Sequence, residues 1–193
     1  KFNVVNATIV CDRGMLSKEN LAFAQTSKKM NYIVGEKLRK IPAQHHELIF
    51  DKSSYATVGK ILIKEIPHPT RAADRLVLVY SESRAKKDKQ DRDRLLKKLT
   101  KKLAKKKVEP KAFISNAGVK KYVRTEGGSA SLNLDAIAKE EQWDGFFGIV
   151  TNHKMLSPEM VLSQYRGLWQ VEAAFRLAKH NLATRPIFHW TSK

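Results

Sequence analysis

The sequence predicts an α/β protein, a core in two pieces interrupted by a mixed β and basic-helix insertion. Three observations predict it. Residues Phe2 to Cys11 (FNVVNATIVC), Lys18 to Gln25 and Asn31 to Glu36 (NYIVGE) read as strand, helix and strand, the order of a parallel α/β unit. A last apolar strand, Phe146 to Val150, leads into a well-capped final helix. Between these ends the pattern changes to short strands, prolines and one long basic helix. The core pieces are residues 1–40 and 143–193, and the insertion is 41–142.

Each element has a local reason. Asp12-Arg13-Gly14 ends the first strand, and Ser17 can cap the short helix that follows. From Leu38 to Arg71, strand-like runs such as TVGKILIKEI are broken by Pro42, Gly59, Pro67 and Pro69. Leu76 to Tyr80 (LVLVY) is a strand. Ser81 to Lys107 is helical in propensity and very basic, with an apolar stripe of Leu95, Leu96, Leu99 and Leu103. Lys120 to Thr125 and Ala130 to Leu134 flank Glu126-Gly127-Gly128-Ser129, a β-hairpin pattern, and Asp135 to Trp143 reads as a short helix. Ser157-Pro158-Glu159 opens the final helix, with Ser as cap, Pro at the first helical position and Glu at the positive end of the dipole. That helix is expected to run unbroken to about His180.

The 193 residues suffice for one good-sized domain or a core with an inserted subdomain. Lysine and arginine number 37 against 19 acids, a net charge of +18, which implies a polyanionic partner. No apolar run is long enough to span a bilayer, which puts nucleic acid ahead of a membrane surface. The single cysteine, Cys11, rules out an internal disulfide framework and a Cys-rich zinc site, and it fits a reducing cytoplasm. The chain begins at Lys1 rather than Met, as a processed product or a piece of a longer protein would.

On the final helix, Val161, Tyr165, Leu168, Glu172, Phe175 and Lys179 recur at spacings of three and four and share a face. That face is apolar apart from one acid and one base, and a carboxylate on a core-like stripe is costly without a partner. Lys179 lies roughly 10 Å further along the axis, too far for direct pairing. The ordinary reading is a surface Glu172 paired with Arg176, worth a few tenths of a kcal/mol.

Tyr165, Glu172 and Lys179 resemble the C-terminal signature of bacterial insertion-sequence transposases of the DDE class: Tyr, two residues, Arg, three residues, Glu, six residues, Lys. The family's Arg position holds Leu168, a departure that Arg166 or Arg176 would have to offset from other positions. VCDRGMLS near the start, DGFFGIVTN before the helix and RPIFHW after it also look like this family, so the similarity spans most of the chain. The resemblance implies a ribonuclease H-like core, here partial because its opening strands are absent. It implies an enzyme in which three carboxylates hold two Mg²⁺ ions, with Mn²⁺ as a substitute, to cleave double-stranded DNA at transposon ends and join them to a target. It further implies a homodimer in the synaptic complex and a nucleoid-associated protein of the bacterial cytoplasm. Glu172 would be the third acid, and Tyr165 and Lys179 would contact phosphates of the transposon end.

Asp12 follows a predicted buried strand, at the edge where α/β sheets bind ligands. Taken alone it is an ordinary Asp-x-Gly turn residue. The resemblance makes Asp12-Arg13-Gly14 the family's second acid. The first would lie upstream of Lys1, so the chain by itself is expected to be inactive. Asp12, Asp144 and Glu172 form a rival triad, set aside because Asp144 precedes its strand and would occupy the opposite edge if that strand is parallel. Lys97, Lys98, Lys101 and Lys102, with Arg166 and Arg176, are candidate DNA contacts. For the basic helix, the plainer reading is a solvated helix whose leucines pack on the hairpin, and the two readings are compatible. His45-His46 read as loop residues without a metal partner, and Trp143 and Trp169 as packing residues. The alternative function is a non-catalytic nucleic-acid-binding remnant of a transposase.

Overall fold

The computed structural model describes residues 7–12, 30–104, 117–126 and 129–181. It is a mixed α/β protein. The elements are β1 (Ala7–Cys11), β2 (Met30–Glu36), α1 (His46–Phe50), β3 (Ala56–Val58), β4 (Ile61–Pro67), β5 (Arg75–Ser81), α2 (Glu82–Leu103), α3 (Ala117–Lys120), β6 (Val123–Glu126), β7 (Ser129–Leu132), α4 (Leu134–Glu141), β8 (Phe146–Thr151), α5 (Pro158–Arg166) and α6 (Leu168–Asn181). Six strands form one sheet in the order β1-β2-β8-β5-β4-β3, and β6 and β7 form a separate hairpin. β1 and β2 are parallel, as the opening pattern predicts, while β8 runs antiparallel to β2 and makes the sheet mixed. The expected helix Lys18 to Gln25, the turn Arg13-Gly14, the hairpin tip Gly127-Gly128 and the RPIFHW motif lie outside the described residues.

The chain divides into two compact units, Lys1–Pro42 with Lys64–Leu78 and Phe147–Lys193, and Ala43–Ile63 with Val79–Phe146. In the first unit the inner strands read apolar without alternation, because both their faces are covered. Tyr32, Ile33, Leu76, Val77, Leu78, Ile149 and Val150 are almost wholly buried. Gly148 is required by close packing: a Cβ there would stand 2.5 Å from Leu38 Cδ2.

A polar network is built into this core. The Tyr32 amide donates to Asn152 Oδ1 (2.9 Å), and Asn152 Nδ2 donates to the Met30 carbonyl (3.2 Å). The Asn152 side chain thus continues the ladder one step past the end of β8. Thr151 Oγ1 donates to the Tyr32 carbonyl (2.5 Å), and the Tyr32 hydroxyl donates to the buried Asp74. Arg71 bridges Asp74 and Glu36, and His68 Nε2 lies 3.3 Å from the same Glu36 carboxylate. Burial alone would raise the Glu36 pKa, but the His68 hydrogen bond and the Arg71 charge lower it from 4.5 to about 2.

In the second unit, β3 and β4 form a hairpin turning at Gly59 (φ 59°). Helix α2 starts at an N-cap, Ser81, whose side chain accepts from the Arg84 amide. Its leucines pack as the amphipathic pattern predicts. Leu99 and Tyr122 are buried, with Leu95, Leu96, Leu103, Val123, Leu132 and Ile137 around them. Phe50, Trp143 and Phe146 stack edge to face, with Phe50–Trp143 centroids 4.7 Å apart. His46 joins this cluster at 4.9 Å from Trp143, so it is a packing residue rather than a loop residue.

Arg92 is the one buried charge of α2 among the described residues. Its Nη1 and Nη2 donate to Asp144 Oδ1 (2.6 Å) and Oδ2 (2.8 Å), and Nη2 lies 3.4 Å from Glu141. Four residues before it, Asp88 accepts from the Gly145 amide (3.0 Å). Gly145 has φ 82°, and a Cβ there would meet the Ser81 carbonyl at 2.7 Å.

Two outcomes follow from these contacts. Arg92→Leu strands the Asp144 carboxylate and is expected to cost about 2 kcal/mol in urea denaturation, with part recovered in Arg92→Leu/Asp144→Leu. For Glu36 the folded carboxylate has the lower pKa, so its contribution is complete above pH 4.5 and is lost as pH falls through about 2. Acid titration of Glu36→Gln is expected to remove that part of the slope, on the order of 3 kcal/mol. An acid limb unchanged by the substitution would exclude Glu36 as its source.

Candidate functional site

Asp12 directly follows β1, whose pairing sets Cys11 beside Val34, and so it stands exposed at the carboxyl edge of the parallel pair. Cys11, just behind, is buried; burial and the neighbouring Asp12 charge push its thiol pKa up, which keeps it a protonated packing residue.

Helix α5 packs on both β1 and β2. Its last turn brings the Tyr165 hydroxyl to 3.3 Å from Asp12 Oδ1, across 153 residues of sequence. The position of α5 is set just before it. Arg75, on β5, donates through Nη2 to the His153 (2.5 Å) and Leu156 (2.8 Å) carbonyls, while its Nη1 is anchored by Glu65 (2.7 Å). His153 Nδ1 accepts from the Met155 and Leu156 amides. Ser157 then caps the helix through the Met160 amide, Pro158 follows, and Val161 and Leu162 face the core. The hydrogen bond from Ser157 lowers the pKa of the exposed Glu159. Nothing in the sequence alone singled out Arg75 or His153.

The final helix departs from expectation in two ways. It is interrupted at Gly167, whose amide is shared between the Ser163 and Gln164 carbonyls, and it resumes as α6. Glycine costs about 1 kcal/mol in a helix interior, which makes this the weak point of the run. The face predicted to be core-like is buried only at its start: Val161 is 0% exposed and Tyr165 and Leu168 are half-buried, but Glu172 and Phe175 are exposed. Glu172 therefore does not sit on a buried stripe, and its carboxylate needs no partner to meet a desolvation cost. No ion pair joins it to Arg176 among the described residues. Trp169, at 64% exposure, is not a packing residue either. The side chain of Lys179 lies outside the described ones.

β8 runs antiparallel to β2, not parallel to it, so Asp144 is not set aside by its edge. Glu36 lies opposite Gly148, so the amino end of β8 falls at the carboxyl edge of β2. What separates Asp144 from a metal role is Arg92, which engages both of its carboxylate oxygens. Among the described residues no three His, Cys, Asp or Glu side chains cluster as a metal site.

The basic helix carries its charge unevenly. From Glu82 to Asp93, acids alternate with bases, and Arg84–Asp88 and Arg94–Asp91 are i,i+4 and i,i+3 pairs. Beyond Arg94 no acid occurs in α2. Lys97, Lys98, Lys101 and Lys102 are all exposed, and no ion pair engages them among the described residues. Arg166 and Arg176 are exposed as well. No described helix is long and apolar enough to cross a membrane. The second unit also holds a cleft of about 500 Å³ lined by Phe50, Lys52, Tyr80, Glu141, Asp144 and Phe146, in which Lys52 stands 3.7 Å above the Tyr80 ring.

No family model, curated protein or solved structure matches the chain.

Replacing Lys97, Lys98, Lys101 and Lys102 together by Gln leaves every core contact in place. If these lysines meet phosphates, the slope of log K against log salt for duplex DNA becomes shallower by about 3 to 4. An unchanged slope in a fluorescence-anisotropy titration would remove α2 from the interface.

Proposed function

We propose that the chain is part of the catalytic core of a DDE-class DNA transposase, with a ribonuclease H-like arrangement of its α/β core. The observation that carries the reading is the Tyr165–Asp12 contact. It brings the first residue of the C-terminal signature to the acid that ends the first strand, and these two are the separate ends of the sequence resemblance. Supporting it are the parallel β1–β2 pair, the exposed position of Asp12 at its carboxyl edge, and the lysine-rich half of α2.

Asp12 and Glu172 are hard oxygen donors, exposed and suited to Mg²⁺ rather than to a softer metal. They would hold the ion, and bound Mg²⁺ would supply neutralisation of the charge that builds up on the phosphate under attack. Lys97, Lys98, Lys101 and Lys102 would follow the DNA backbone without reading bases. In the reaction proposed, a phosphodiester at the transposon end is hydrolysed, and the freed 3′-hydroxyl then attacks target DNA. Such an enzyme works on both transposon ends at once, which suits a homodimer. A second reading, a nucleic-acid-binding protein without catalysis, is favoured by the exposed lysines of α2, which need no metal to meet phosphates.

The deciding experiment is Mg²⁺- or Mn²⁺-dependent cleavage of duplex DNA by the full gene product. Asp12→Asn and Glu172→Gln are each expected to lower the cleavage rate by about a hundredfold or more while DNA affinity stays within about twofold. Metal-independent binding with no cleavage by the unaltered protein would support the second reading.

A further inference from the structure

Resting on the proposed function, we infer that Tyr165 is a positioning residue for the Asp12 carboxylate rather than a contact to DNA phosphate. Its hydroxyl donates to Asp12 Oδ1 at 3.3 Å. That is longer than the roughly 2.7 Å of a tight O–H···O bond, so the contact is a weak one that biases the carboxylate's orientation without fixing it. The hydroxyl is not presented on a free helix end. Helix α5 is seated on β1 and β2, with Val161 and Leu162 buried one turn earlier, and Arg75 anchors the loop before it. Tyr165 itself is half-buried, whereas Arg166 beside it and Arg176 further on are exposed and able to meet a phosphate. A carboxylate at the end of a strand rotates about its side-chain torsions, and a metal gains affinity when its ligand is already turned toward it. Tyr165 supplies that orientation from a helix that packs on β1 and β2 and whose entry is anchored by Arg75. Contact with DNA then falls to the arginines and lysines.

The test uses the whole chain, labelled for NMR, with Mn²⁺ as the probe in the absence of DNA, and a short mixed-sequence duplex in a separate binding titration. Mn²⁺ is expected to broaden the Cys11 and Asp12 amide signals, and Asp12→Asn to abolish the effect. Tyr165→Phe keeps the ring and the packing of α5 but removes the hydroxyl. It is expected to need roughly threefold more Mn²⁺ for the same broadening, with duplex affinity unchanged. Unshifted signals from the β2 core will show that the fold is intact. If Tyr165→Phe instead weakens duplex binding and leaves the Mn²⁺ response alone, Tyr165 is a phosphate contact and the positioning role falls while the metal role of Asp12 stands. If Asp12→Asn leaves the Mn²⁺ response unaltered, the metal role of Asp12 falls, and the positioning role with it.

Discussion

The arrangement of the first unit turns on Arg75. One guanidinium, held by Glu65, donates to two consecutive stretches of a loop that has no regular hydrogen bonding of its own. Backbone carbonyls in such a loop must find donors or remain in water, and Arg75 supplies two of them from the edge of a strand. The loop then has a defined exit direction at Ser157, and the cap, the proline and the buried Val161–Leu162 pair carry that direction along α5. Without the clamp the helix would still be a helix by its own chemistry and would still bury Val161 and Leu162, but its entry would lose a fixed direction. A planar, five-donor fork suits this geometry where an ammonium does not.

Legibility in the sequence followed the range of the interaction. Strands announced themselves because their residues are buried on both faces, as in Tyr32–Gly35 and Leu76–Val79. Capping was legible at Ser157 because its partners are within three residues. The leucine stripe of α2 was legible because helical period is a local property, and so was its role against the hairpin. What could not be read depends on pairs far apart in the chain. Nothing about Arg92 distinguishes it from the other bases of α2 except Asp144, which lies 52 positions on. The direction of β8 is set by its pairing with β2, more than a hundred positions away, and is invisible in the sequence for the same reason. Period also misled: the face through Glu172 is real as geometry, yet its burial ends at Leu168, just after α5 gives way to α6. For the candidate site, the sequence singled out Asp12 and Tyr165 separately. It offered no means of knowing that they touch, and Glu172 remains a residue named by resemblance on an exposed helix.

The second unit divides labour along a single helix. The amino half of α2 meets its own acids and the α4–β8 turn, with Arg92 taken into a clasp and Asp88 turned onto the Gly145 amide. The carboxyl half keeps one apolar stripe inward and four lysines outward. The positive charge also collects where the helix dipole is negative, so the lysines stabilise the helix end they occupy. A strongly positive surface and a helix end that tolerates dense like charge are thus the same feature.

Tyr32 is bonded through its amide to Asn152, through its carbonyl to Thr151 and through its hydroxyl to Asp74. Three partners on one residue amount to a register lock. A strand that slips by one position turns every side chain to the opposite face, and here the slip would cut all three bonds together and put Asn31 or Ile33 in the tyrosine's place. Apolar runs such as YIV and GIV can pair in several offsets at little cost in burial. The tyrosine removes that degeneracy, making the correct alignment of β2 with β8 a single cooperative choice rather than the best of several near-equal ones.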